Sequence, residues 1–419
     1  MLLIGCILWI VFVLRVASVR FFKNPTGSLF NPLFYINILA LFYIILPLTL
    51  IPYTLTVVKW QISNQVFNQA VFLSFWYSFV FFGFYVASKD HDVRFCSFNA
   101  SPDCVIVAKC LNVILCLLLS YIILFKVPLI IPLRGTRGEA YSAYQTLIEA
   151  PFKLRIIMFL HIGVMYYLFA KYRKFRWLLP LLLYLLIDYS HGGRIASVMC
   201  GLFFYTMLVL NNRKTYLKYA ILVIFIMLSL GVIQRSSGSD TDMLWKLYSG
   251  IMEFTNTYLT TIFMCGHPDF HMDLSEYLMW IVSKLFPGGI IGKMTGTEGW
   301  YGEMLSNKID LGFGLGGNII TEALVYGGFV GSILNPIFIG ILCYWLNSMK
   351  GKTTYIGSYI IILFCLPMQE NFRQYFWGYI FYPLQLAFFW GIWVCPDWGK
   401  NIYTYLKTCP HDFCRRNND

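Results

Sequence analysis

Apolar runs about as long as the hydrocarbon core of a bilayer is thick recur along this sequence, and they decide what it can fold into. About 20 helical residues cross roughly 30 Å of hydrocarbon. Lipid offers no partner to peptide N–H and C=O groups, so a run of that length reads as a helix whose backbone satisfies itself, never as open sheet. Of the 419 residues, 58% are hydrophobic, 19% aromatic and 12% charged, far from the balance of a soluble domain. The fold class expected is all-α, a polytopic membrane protein.

The spans fall at 2–19, 33–53, 67–87, 106–125, 155–171, 177–189, 195–210, 218–234, 319–345, 355–368 and 376–395, which makes eleven, or ten to twelve given the short sixth and tenth. Pro180, Pro336 and Pro383 lie inside spans and predict kinks or broken helices. Four regions follow: an N-terminal bundle over 1–234, a large external loop over 235–318, C-terminal helices over 319–395 and a tail over 396–419.

Lysine and arginine set the orientation. The connections at 15–23, 88–109, 171–176, 211–218 and 346–354, with the tail after 396, hold 19 of the 32 cations, so that side reads as cytoplasmic. Lys171, Arg173, Lys174 and Arg176 in one loop are the strongest single indication. The amino terminus is then outside and its first span is retained, because MLLIGCILWIVFVLRVASVR has neither a basic n-region nor a small-residue cleavage site. The net charge of +12 is a topology signal and calls for no nucleic acid. Of the twelve cysteines only Cys265 falls in a long external segment, and no CxxC or Cys/His spacing suggests a metal or redox centre.

Two external segments are too long for turns, 126–154 and 235–318, and long connections of that kind carry function. The second holds apolar stretches at 243–264 and 274–286, the latter expected as an amphipathic helix along the membrane surface. Ten glycines follow between 288 and 317, a loop whose bare backbone suits close approach to a ligand. Trp300 and Tyr301 offer flat surfaces for sugar rings there, and Glu298 and Glu303 are polar partners.

Four arginines lie on the side where cations are expected to be few. Arg134 and Arg137 in PLRGTRGEAY can bring two guanidinium forks onto one phosphate or diphosphate, or can pair with Glu139 and lipid headgroups. Arg194 lies in DYSHGGRIAS, a helix–Gly–Gly–helix break that lines a cavity or pairs with Asp188. His191 beside it is a candidate proton carrier. Arg373 sits in PMQENFRQYFWG next to Glu370. Glu322, at the start of the ninth span in GLGGNIITEALVYGGFVG, is a carboxylate too deep to be there without a partner or a task.

SHGGRIA at a span start, FGLGGNIITEALVYGGFVG entering a later span from a long external loop, and an arginine after the next span together resemble the Wzy-type O-antigen or oligosaccharide repeat-unit polymerases. The resemblance implies a GT-C-like glycosyltransferase of the bacterial inner membrane that works on the periplasmic side without cofactor, metal or nucleotide sugar. Its substrates would be undecaprenyl-diphosphate-linked glycans, with a chain-length regulator as partner. By motif position it points to Arg194, Glu322, Gly328, Gly331 and Arg373, and by place in an external loop to Arg134 and Arg137. The arginines would hold the diphosphate, Trp300 and Tyr301 the sugars, and Glu322, His191 or Glu303 would act as base. An O-antigen ligase and a polysaccharide flippase or transporter are the alternatives.

Overall fold

The computed structural model describes residues 2–51, 62–90, 102–125, 154–191, 195–210, 243–268 and 317–349, with 275, 365, 368, 372, 376 and 377. Among them the regular structure is helical without strands, and five helices are long and apolar enough to cross a membrane. The expected spans at 218–234, 355–368 and 376–395 lie wholly or mostly outside the described residues, as does most of the amphipathic helix expected at 274–286. The chain divides into two units, one of 1–93, 239–351 and 364–381, the other of 94–238, 352–363 and 382–419.

In the first unit, α1 (Leu2–Lys23) ends on Arg20 and Lys23, cations that complement the negative end of its dipole. Outward residues such as Leu8 and Phe22 stay exposed, as a lipid-facing helix requires. The short α2 (Pro25–Leu29) begins on a proline, which needs no N–H at that position. The next helix, α3 (Pro32–Ile51), is capped by Asn31, whose side chain accepts the Leu33 N–H, and widens into a π turn at Leu41–Ile45. Ser63 caps α4 (Asn64–Ala87) by accepting the Val66 N–H. Beyond α4 the unit adds α9 (Met243–Gly266) and α10 (Ile319–Met349).

α4 is the axis of this unit. The Asn37 amide donates to the Phe81 carbonyl at 3.1 Å and Asn31 to Ser88 at 3.3 Å, so α3 runs antiparallel to α4. Arg20 fastens the end of α1 to the end of α4: its Nε lies 2.8 Å from Asp90, its guanidinium donates to the Ser88 and Tyr85 carbonyls, and it covers the Tyr85 ring. Asn31 donates to the other Asp90 oxygen at 2.9 Å. Carbonyls left over at the helix end, those of Tyr85 and Ser88, thus meet a charged donor.

The apolar stretch expected at 243–264 is helical as α9 and packs against α4. It falls within the expected 235–318 loop, yet Gly266 lies beside Val66, the Tyr258 hydroxyl meets Ser74 and Ala70, and Phe254 packs on Tyr43 at 4.8 Å. That register lays α9 lengthwise and antiparallel against α4. Thr257, Thr260 and Thr261 lower its hydropathy without exposing it, since all three are buried.

α10 is not one rod. Gly328 has φ 57° and ψ −157°, which no helix contains. The Asn335 amide comes within 3.5 Å of the Ile319 carbonyl, although 16 residues of straight helix would part them by about 24 Å. Likewise a Cβ on Gly331 would lie 3.5 Å from the Ala323 carbonyl. The chain therefore reverses at Gly328 into a hairpin with arms 319–327 and 329–349. The break expected at Pro336 falls at Gly328, where only glycine reaches this backbone region at low cost. The first arm is about 14 Å long and cannot cross a bilayer, whereas the second, about 31 Å, can.

The second arm runs parallel to α4, with Trp76 donating to the Ile333 carbonyl at 2.9 Å and Asn347 to the Lys89 carbonyl at 3.0 Å. At Gly340 the Phe84 ring occupies the place a Cβ would take. Gly340→Val should therefore cost about 1–3 kcal/mol through overpacking. The matched Gly83→Val, where nothing lies within 4 Å, should be close to neutral in thermal unfolding of the purified protein.

The second unit contains α5 (Pro102–Phe125), α6 (Leu154–Tyr172), a 3-10 turn at Phe175–Leu178, α7 (Leu181–His191) and α8 (Ile195–Leu210). Pro180 does interrupt the expected 177–189 span, separating the 3-10 turn from α7.

Candidate functional site

The first arm of the hairpin builds the site. Asn318 is its N-cap: the side-chain oxygen accepts the N–H groups of Ile320 at 2.9 Å and Thr321 at 3.1 Å. The same oxygen takes the Thr261 hydroxyl at 3.1 Å, and the Thr321 hydroxyl lies 2.9 Å from both Thr260 and Thr261. Thr257 supplies a carbonyl to the Asn318 amide at 3.4 Å. Residues 257, 260 and 261 share one helical face, so α9 offers a hydroxyl stripe to a helix start that carries unspent donors. All six of these polar residues, Glu322 included, are buried.

Glu322 lies one turn into the arm and is fully buried. One carboxylate oxygen accepts the Phe376 N–H at 2.7 Å and the other the Trp377 N–H at 3.3 Å. Phe372, Phe376 and Trp377 are helical. Asn335 makes a second tie to the same segment: its oxygen accepts the Trp377 indole N–H at 2.7 Å while its amide donates to the Tyr77 hydroxyl at 3.1 Å. Hairpin, α4 and the 376–377 segment are thus joined at two polar points inside an otherwise apolar bundle. Such bonds are costly to leave unmade where water is absent.

Of the residues singled out from the sequence, Glu322 is brought into this cluster, with Gly328 as the turn and Gly331 as the close approach between the arms. Arg373 is outside the described residues, but its neighbours Phe372, Phe376 and Trp377 are within them, so Glu322 meets the chain three residues from that arginine. His191 lies in α7 and α8 begins at Ile195; the expected Gly–Gly break at 192–194 and Arg194 itself lie outside the described residues. Arg134, Arg137, Trp300, Tyr301 and Glu303 lie outside them as well. Glu322 and Arg373 belong to the first unit, His191 and Arg194 to the second.

Sequence reasoning missed Asn318, the threonine stripe and Asn335. The signal was present: Thr257, Thr260 and Thr261 recur at helical spacing, and an asparagine precedes the IITE start as a cap would. It also missed His161, an ionisable residue inside a span. His161 is fully buried in the second unit, with Nδ1 3.1 Å from the Tyr184 hydroxyl and Nε2 3.1 Å from the Asn112 side-chain oxygen. An amide oxygen can only accept, so Nε2 carries a proton, and Nδ1 shares a hydrogen bond with the Tyr184 hydroxyl. This imidazole joins α5, α6 and α7 and has no substrate-facing atom to spare.

Set against models of known protein families, characterised proteins and solved structures, the chain finds no match.

Glu322→Gln replaces one acceptor oxygen with an amide donor and leaves one of the two N–H groups facing it. The variant should lose about 1.5–3 kcal/mol of stability, the range for a hydrogen bond to a charged group. Thermal unfolding of the purified variant measures it, and an unchanged midpoint would show that the two bonds hold nothing together.

Proposed function

We propose that the chain is a glycosyltransferase of the bacterial inner membrane that polymerises undecaprenyl-diphosphate-linked oligosaccharide repeat units on the periplasmic face. The observation that carries this reading is the pair of bonds from Phe376 and Trp377 to Glu322. They join the two stretches that the polymerase resemblance pairs, FGLGGNIITEALVYGGFVG and the segment containing Arg373, in one buried cluster.

In the proposed reaction a hydroxyl of the acceptor repeat unit attacks the anomeric carbon of the donor glycan. The carbon–oxygen bond to the lipid diphosphate breaks, the electron pair leaves with the diphosphate, and the hydroxyl proton passes to a base. Arg194 and Arg373, with Arg134 and Arg137 as further contacts, would hold the diphosphate as its charge grows, an effect strongest in a preorganised site. Trp300 and Tyr301 would stack on sugar rings. Both Glu322 oxygens already accept backbone N–H groups, so its carboxyl is engaged in holding that segment. Its proposed role is therefore to position the Arg373 segment, and His191 or Glu303 takes the proton.

Deleting the gene and separating the lipopolysaccharide by electrophoresis tests the reaction class. A lost polymerase leaves core bearing a single repeat unit, whereas bare core would instead mean a ligase or a flippase. Arg194→Ala, expressed at the normal level, should abolish chain extension. Arg194→Lys should restore little of it, because an ammonium lacks the two-pronged fork. Wild-type banding from the alanine variant would contradict the diphosphate assignment.

A further inference from the structure

The turn between α6 and α7 carries more than its share of charge, and its geometry is organised beyond what membrane orientation asks for. Lys171, Lys174 and Arg176 are exposed there, and Lys109 on α5 is exposed beside them. None of these four forms an ion pair among the described residues. Arg173 takes φ 54°, a left-handed conformation that is uncommon for a residue other than glycine, and its N–H closes α6 on the Phe169 carbonyl at 2.8 Å. The chain then turns at once into the 3-10 segment, so cations on either side of Arg173 stay within one short stretch.

Aromatic rings back the charges. Tyr172 and Trp177 stack with centroids 5.6 Å apart; Lys109 lies over the Tyr172 ring and Arg176 over the Trp177 ring, each at 5.1 Å. Tyrosine and tryptophan of this kind sit at headgroup depth. Directly after them, Leu179, Leu182 and Leu186 are 61%, 55% and 45% exposed. Leu179, Leu182 and Leu186 are three and four residues apart, on one face of the chain leading into and along α7.

We infer that this turn is a binding site for an anionic phospholipid, whose phosphate meets Lys109, Lys171, Lys174 and Arg176 while an acyl chain lies along Leu179, Leu182 and Leu186. The positive-inside rule explains cations on this side of the membrane; it does not call for stacked aromatics beneath them or for an exposed leucine strip continuing from them. A free phosphate would use the charges alone, whereas a lipid uses both features. The site is independent of the glycan chemistry proposed above.

The full-length protein in a neutral detergent is titrated with dioleoyl phosphatidylglycerol, with dioleoyl phosphatidylcholine and with inorganic phosphate, and thermal unfolding is followed. Phosphatidylglycerol should raise the midpoint saturably and the other two should not. In K171Q/K174Q/R176Q the half-saturating lipid concentration should rise on the order of a hundredfold, from about fivefold for each cation near an anionic surface. Leu182→Gln should weaken it as well. The control R15Q/K23Q/K89Q, which removes cations of the same side elsewhere, should respond as the wild type does. The site is overturned if the first triple variant responds normally, if phosphate alone reproduces the effect, or if the control triple weakens it equally. Should the first triple variant fail to fold, Lys174→Gln alone must shift half-saturation about fivefold, and no shift there overturns the site equally.

Discussion

At Gly328 the chain turns back on itself inside a bundle of membrane-length helices, and the rest of the first unit is arranged around that reversal. Stopping a helix at such depth exposes peptide groups that lipid cannot satisfy. The structure answers at the start of the short arm. Asn318 takes the donors at its start and is itself held by Thr261 of α9, and Asn335 on the returning arm reaches the Ile319 carbonyl. Glu322, carried one turn into the arm, is thereby presented to the Phe376 and Trp377 backbone. The interrupted helix thus brings its capped start and Glu322 into one buried polar cluster.

How much of this was legible in the sequence depends on the length scale. Helices α1, α3, α4, α5, α6 and α8 match apolar runs to within a few residues, since lipid forces long apolar stretches into helices whatever their detailed composition. The caps at Asn31 and Ser63 mark where α3 and α4 begin. The packing of α9 was less legible for a physical reason: three hydroxyls and a flanking polar stretch make it look like surface, while its threonines meet another buried polar group. Hydropathy measures what a side chain prefers in isolation and is blind to a partner far along the chain.

The hairpin was harder still. Pro336 is the stronger helix breaker in isolation, yet the helix tolerates it, and the break goes to Gly328 in a GG pair. A proline forfeits one hydrogen bond and bends the axis, but only a residue free to take positive φ lets the chain reverse within one residue. Glu322 was legible as a buried carboxylate needing a partner; that its partners are main-chain N–H groups 54 and 55 residues away was not. Backbone donors carry no side-chain signature, so no pattern in the residue types could have named them.

The hairpin is the claim on which the site rests, and a disulfide tests it most directly. In a variant with Ala323→Cys and Gly331→Cys, oxidation of membranes followed by peptide mass spectrometry should find the two residues bonded to each other, because a Cβ at 331 lies 3.5 Å from the Ala323 carbonyl. In a straight helix those eight residues would separate the pair by about 12 Å, beyond disulfide reach. Recovery of both cysteines unbonded to each other, after oxidation that is complete at exposed thiols, would contradict the reversal at Gly328 and with it the arrangement of the whole cluster.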